Sequence, residues 1–261
     1  MNKDITRQIV TAVAIVATII VNIAANALPL NNIPTDVISD SFPLLITPAG
    51  YVFAIWGVIY IGLIAYGIYQ LLPAQRENPR LRKVGYVFVW SCLANILWLF
   101  VWHYGFETSW FWLTEVFMIA LLLLLIMTYL RLGTGVTKVS TAEQWALRVP
   151  ISIYLGWISI ATIANTTITL YYFGWTGEQI APWLTVLLLL VGAVLGLLMA
   201  SRHGDVAYVL VLVWAFIGIG VPNNIADNQI VSIAAYILAA LLAILAVVTL
   251  LRKRELPPAE A

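Results

Sequence analysis

The chain has 261 residues, of which 62% are hydrophobic and only 10% charged, with a mean hydropathy of +0.97. Soluble domains carry about a quarter charged residues, so this composition excludes one and defines a polytopic membrane protein. The formal net charge of +1 gives no basis for a nucleic-acid partner, and the single cysteine, Cys92, excludes an internal disulfide and reads as a small core residue.

Eight apolar stretches each approach the roughly 20 residues that cross the hydrocarbon, and the fold class they define is all-α integral membrane. In chain order they are 8–28, 48–72, 85–104, 109–130, 143–173, 182–200, 206–221 and 229–251. The seventh is short, and the fifth is long enough for its first turns to leave the bilayer. Lys3 and Arg7 precede the first. The same residues, with the apolar run and Ala25-Asn26-Ala27, also fit a cleaved signal peptide, but the run is longer than a typical h-region, and it is read as a span.

All thirteen basic residues fall on one side of this layout: Lys3, Arg7, Arg76, Arg80, Arg82, Lys83, Arg131, Lys138, Arg148, Arg202, Arg252, Lys253 and Arg254. The other connections, 29–47, 105–108, 174–181 and 222–228, hold no Lys or Arg but do hold Asp36, Asp40, Glu107, Glu178 and Asp227. The positive-inside rule then places both termini in the cytoplasm, with a bacterial inner membrane as the default location. A wrong span count would scatter the charges over both sides.

The connection after the first span, NNIPTDVISDSFPLLIT, is more apolar than a solvated loop. It reads either as a lid folded over the outer mouth of a bundle or as a segment lying on the headgroups. The second span carries Phe53, Trp56 and Tyr60 at helical spacing, with Pro48 ahead of its first turn and Gly57, Gly62 and Gly67 as points of close packing. Asn22 and Asn26 lie one turn apart in the first span. Asn95, Trp98 and Trp102 share a face of the third, and Trp157, Ala161 and Asn165 share a face of the fifth. For such asparagines, hydrogen bonding across helices is the more common role and ligand contact the less common one. Trp110, Trp112, Trp175 and Trp183, near span ends, fit an interfacial aromatic belt, whereas Trp56, Trp98, Trp102 and Trp157 are deeper and suit a flat, apolar ligand. Glu115 is the acid set within a span, two turns into the fourth, where the helix dipole favours its charge. His103 and His203 have no His, Cys or carboxylate at ligand spacing, and no metal, nucleotide or nucleophile motif appears, so an enzyme is not expected.

The motif PAGYVFAIWGVIY resembles the PPxWVF and WxxLY signature of the TspO/MBR family, the tryptophan-rich sensory proteins related to the mitochondrial translocator (peripheral benzodiazepine receptor) protein. Asn95-Ile-Leu-Trp98 resembles the family's LNxxW, and Trp157-Ile-Ser-Ile-Ala161-Thr162-Ile-Ala-Asn165 resembles WVxFATxLN. Ala49 stands where the family has its second proline, and Tyr51 where it has the tryptophan before VF. Phe53 and Trp56 are one residue closer than usual, and Pro150 lies further ahead of Trp157. The resemblance covers residues 1 to about 173, a TspO-like five-helix bundle, and leaves 174–261 as a three-helix extension with a short basic tail. In the sixth span Gly192 and Gly196 form a GxxxG, and Pro222-Asn223-Asn224 is expected to end the seventh.

What the resemblance implies is a receptor or sensor with an outward-facing aromatic pocket, covered by the loop after the first helix. A porphyrin or sterol-like ligand would be held there by Tyr51, Phe53, Trp56, Tyr60, Asn95, Trp98, Trp102, Trp157, Ala161 and Asn165. No cofactor is required, and dimers are common in the family. Two other readings stand beside it: a transporter of such a molecule or another metabolite, which needs a second, inward-opening state, and a scaffold with no ligand that docks partner membrane proteins through its extra helices.

Overall fold

The computed structural model describes residues 2–28, 30–176, 182–225, 229–252 and 255–258. Glu178, Asp227, Lys253 and Arg254 from the charge count lie outside these, as do the side chains of Asn26, Asn223 and Asn224. The described residues form α1 (Lys3–Ala27), α2 (Thr35–Asp40), α3 (Ile55–Leu71), α4 (Pro79–Val84), α5 (Val87–Tyr104), α6 (Leu113–Arg131), α7 (Thr141–Glu143), α8 (Val149–Tyr172), α9 (Pro182–Leu198), α10 (Val206–Ile225) and α11 (Gln229–Leu251). Seven of the helical stretches are long and apolar enough to cross a membrane, and the shorter Val206–Pro222 is the eighth apolar helix. The protein is an all-α, multi-pass membrane protein.

The chain packs into two compact units, one of residues 1–35, 56–155 and 256–261, the other of 36–55 and 156–255. In the first, α1 presents Val13, Val16, Ile20 and Ile23 outward and buries Thr11, Thr18 and Asn22. This is the pattern of a helix in lipid, where apolar side chains need no shelter and polar ones do. Asn2 caps α1 by accepting from the Asp4 N–H at 3.0 Å. α1 packs on α5, and α5 on α6. Of the three glycines of the second span, Gly62 is the one that brings helices together: a Cβ there would stand 2.8 Å from Pro150 Cβ on α8, while Gly57 meets nothing and Gly67 only ordinary contact. On the basic side, Arg80 Nη2 donates to Glu143 Oε2 at 2.7 Å, and this bond holds the Arg80 guanidinium above its ordinary pKa. Arg148, 1% exposed, ends a π-helical turn and donates to the Leu132 carbonyl at 2.8 Å and to Thr137 Oγ1 at 2.7 Å. The Lys138 N–H donates to the Pro257 carbonyl at 2.8 Å, which straps the tail to this connection.

In the second unit α9, α10 and α11 pack on one another. The GxxxG of α9 sits at that seam: a Cβ on Gly196 would lie 2.8 Å from Leu242 and 2.9 Å from Leu212, and one on Gly192 3.0 Å from Phe216. Asp205 caps α10, accepting from the Tyr208 N–H at 3.0 Å.

Pro222 does not end the seventh span; it lies inside α10, which continues to Ile225. A proline removes the donor that the carbonyl four residues earlier would receive, here Gly218. That carbonyl accepts instead from the Ala49 N–H at 2.9 Å, so the helix continues at little cost. The first four residues counted in the fourth span, 109–112, form turns, which puts Glu115 in the first turn of α6 rather than two turns in. The connection after the first span buries Ile38, Leu44 and Ile46 at 0%, 7% and 2% exposure and so packs against protein, while Val37 stays exposed.

Candidate functional site: two aromatic and amide clusters

The residues nominated from the sequence divide between the two units, five in each. In the first unit, Trp98 and Trp102 stack on consecutive turns of α5 with ring centroids 5.3 Å apart. Asn95, fully buried one turn earlier, accepts through Oδ1 from Asn22 Nδ2 on α1 at 2.7 Å. Interhelical bonding thus accounts for one end of the amide. The other end, Nδ2, is equally buried and faces Tyr154 of α8. Trp56 stacks on Tyr60 at 5.8 Å and meets Tyr154 of α8 edge-on at 5.9 Å. Tyr154, 1% exposed, has its hydroxyl within hydrogen-bonding reach of the Asn95 side chain.

The second unit holds Tyr51, Phe53, Trp157, Ala161 and Asn165. Phe53 does not share a helix face with Trp56 and Tyr60, because residues Gly50–Ala54 form a 3₁₀ turn and the α-helix begins at Ile55. The tighter turn, with three residues instead of 3.6, swings the ring away. Phe53 packs edge-on against Trp157 at 5.9 Å, and Tyr51 against Trp214 of α10 at 5.5 Å. Trp157 and Asn165 are buried and Ala161 partly so. The 3₁₀ turn is fixed on α10 by three contacts. Trp214 Nε1 donates to the Val52 carbonyl at 3.0 Å, Ala49 N–H to the Gly218 carbonyl, and Val52 fills the space that Gly218, having no side chain, leaves open. Asp36 lies beside the same turn, its Oδ2 3.7 Å from where a Cβ on Gly50 would be.

Sequence reasoning missed Tyr154, Trp214 and the role of His103. Tyr154 was signalled by its place three residues before Trp157, on one helix face with it. His103 is fully buried and ties the start of the loop after α1 to α5. Its Nδ1 lies 2.8 Å from the Leu99 carbonyl, which can only accept, so Nδ1 carries the proton and Nε2, 3.3 Å from Thr35 Oγ1, accepts. Trp102 Nε1 donates to the Thr35 carbonyl at 3.2 Å, and Asn31 Nδ2 to the His103 carbonyl at 2.9 Å. Among the described residues no three His, Cys, Asp or Glu side chains are grouped to hold a metal ion.

Rings set edge-on and stacked around buried amides, on helices that turn apolar faces to lipid, define a membrane protein whose polar groups are directed inward. The chain belongs to the family described as TSPO-like protein, whose model it matches over residues 8–248. The match runs through the last three apolar helices, so the family pattern extends well past residue 173, where the motif resemblance stopped. Among curated proteins and among solved structures, none matches the chain.

Proposed function

We propose that the protein is a receptor- or sensor-type membrane protein that binds a flat hydrophobic molecule, a tetrapyrrole or a sterol-like compound, at an aromatic and amide cluster of this kind. In this reading both termini are cytoplasmic, which the one-sided distribution of the basic residues supports, and a bacterial inner membrane is the default location. The observation that carries the reading is the first cluster, where the buried polar side chains of Asn95 and Tyr154 face each other beside the Trp56 ring. Apolar walls with a few converging polar groups are what such a ligand needs.

The test is a tryptophan-fluorescence titration with protoporphyrin, corrected for inner-filter absorption, on the wild type and on a Trp56→Leu, Trp157→Leu variant shown to be folded by circular dichroism. Saturable quenching at micromolar ligand or tighter, lost in the variant, supports the reading. Quenching that is linear in ligand and indifferent to the substitutions overturns it.

A further inference from the structure

The two aromatic clusters say nothing by themselves about the charge of what they bind, but the surroundings of the second one do. Its 3₁₀ turn, bearing Tyr51 and Phe53, has the Asp36 carboxylate beside Gly50, and Asp40 follows one helical turn later on α2. Asp40 titrates above the ordinary carboxylate value because it is partly desolvated and because Asp36 adds negative charge. The described basic residues of this unit, Arg202 and Arg252, are remote. Arg202 precedes the start of α10, about 12 Å along the helix axis from Trp214, and Arg252 follows the far end of the 23-residue α11. No connection on the side of Asp36 and Asp40 contains a Lys or Arg.

We infer that the aromatic set of the second unit selects flat molecules that carry no ionised carboxylate. The inference rests on the binding reading above and names the ligand class within it. A carboxylate brought against Tyr51 and Phe53 would lose water without gaining a cation, and would meet the negative charge of Asp36 and Asp40. The same ring system with its acids esterified meets neither cost. At about 8 Å and an effective dielectric constant between 20 and 80, one carboxylate pair discriminates by roughly two- to thirtyfold in affinity.

Protoporphyrin IX and its dimethyl ester share the macrocycle and differ in these charges. Each is titrated against the full chain in phosphatidylcholine nanodiscs, with empty nanodiscs as the partition blank, for the wild type and for Asp36→Asn, Asp40→Asn. The expected result is tighter binding of the ester to the wild type by at least threefold. The gap narrows in the variant through stronger binding of the diacid, and the unchanged ester affinity reports that the variant is folded. Comparing the gaps cancels the ligands' different solubility in lipid. A diacid that binds as tightly as the ester, or a gap that the variant leaves unchanged, overturns the inference while leaving the binding reading intact. Failure of both porphyrins to bind overturns both.

Discussion

The contact between the Gly50–Ala54 turn and α10 predicts a severe effect from a very small change, Gly218→Ala. A Cβ at residue 218 would lie 2.1 Å from Val52 Cγ2 and 3.2 Å from Val52 Cβ, and Val52 has 0% exposure, so it has nowhere to move. Overpacking of this kind costs about 1–3 kcal/mol. Pushing the turn outward also stretches the Ala49 N–H bond to the Gly218 carbonyl and the Trp214 bond to the Val52 carbonyl. Those bonds are worth about 0.6–1.5 kcal/mol each. Alanine's better helix propensity returns about 1 kcal/mol, which leaves a net loss of about 1–5 kcal/mol, the upper end applying if both bonds are lost. The assay is an SDS unfolding titration in detergent, followed by tryptophan fluorescence. Val52→Ala alone should also destabilise, by removing a buried side chain, yet in the Gly218→Ala background it should restore stability, a strongly non-additive cycle. A Gly218→Ala protein as stable as the wild type, or a cycle that is simply additive, would refute the reasoning.

Three further outcomes are expected. Glu143→Gln removes the carboxylate that Arg80 engages at a residue 2% exposed, and should cost about 3 kcal/mol in the same titration, with Arg80→Leu, Glu143→Leu less damaging than either single change. Asn22→Ala breaks the bond to Asn95 and should cost about 1 kcal/mol, read from the same midpoint. Asp40 has a raised pKa, so folding favours its protonated form: the group's contribution is fully present below its unfolded pKa and is lost as pH rises through the folded value. Asp40→Asn should therefore stabilise the protein at neutral pH and not at acid pH, an advantage that stays small because the side chain is largely exposed; equal effects at both pH values would contradict the assignment.

The spans were legible because lipid makes two demands visible in one sequence, a run of about 20 apolar residues and a one-sided distribution of Lys and Arg. The face shared by Asn95, Trp98 and Trp102 was legible too, because α5 is regular there, although its partner on the first span was not. What failed were inferences that depended on partners distant in sequence. Pro222 reads as a stop, and only the Ala49 N–H, supplied from far upstream, lets the helix run on. Phe53 reads as part of a continuous helical face until the turn holding it proves to be 3₁₀, and that turn is fixed by Trp214. The departure at Ala49 is explained in the same terms: a second proline would have no N–H to give to Gly218.

The membership of residues 36–55 in a unit completed by 156–255 has a consequence for biogenesis. A ribosome adds roughly 5–20 residues per second, and about a hundred residues separate the two pieces, so the turn emerges some 5–20 s before the first residue of its unit's second piece is made. Through that interval the Ala49 amide and the Val52 carbonyl have neither Gly218 nor Trp214 to bond, and water or the insertion machinery must satisfy them at the membrane surface. Insertion of this chain therefore cannot be a sequence of self-sufficient hairpins. A nascent chain stalled before α10 presents an unsatisfied, aromatic-rich segment, the kind of exposed signal by which membrane quality control would recognise an unfinished molecule.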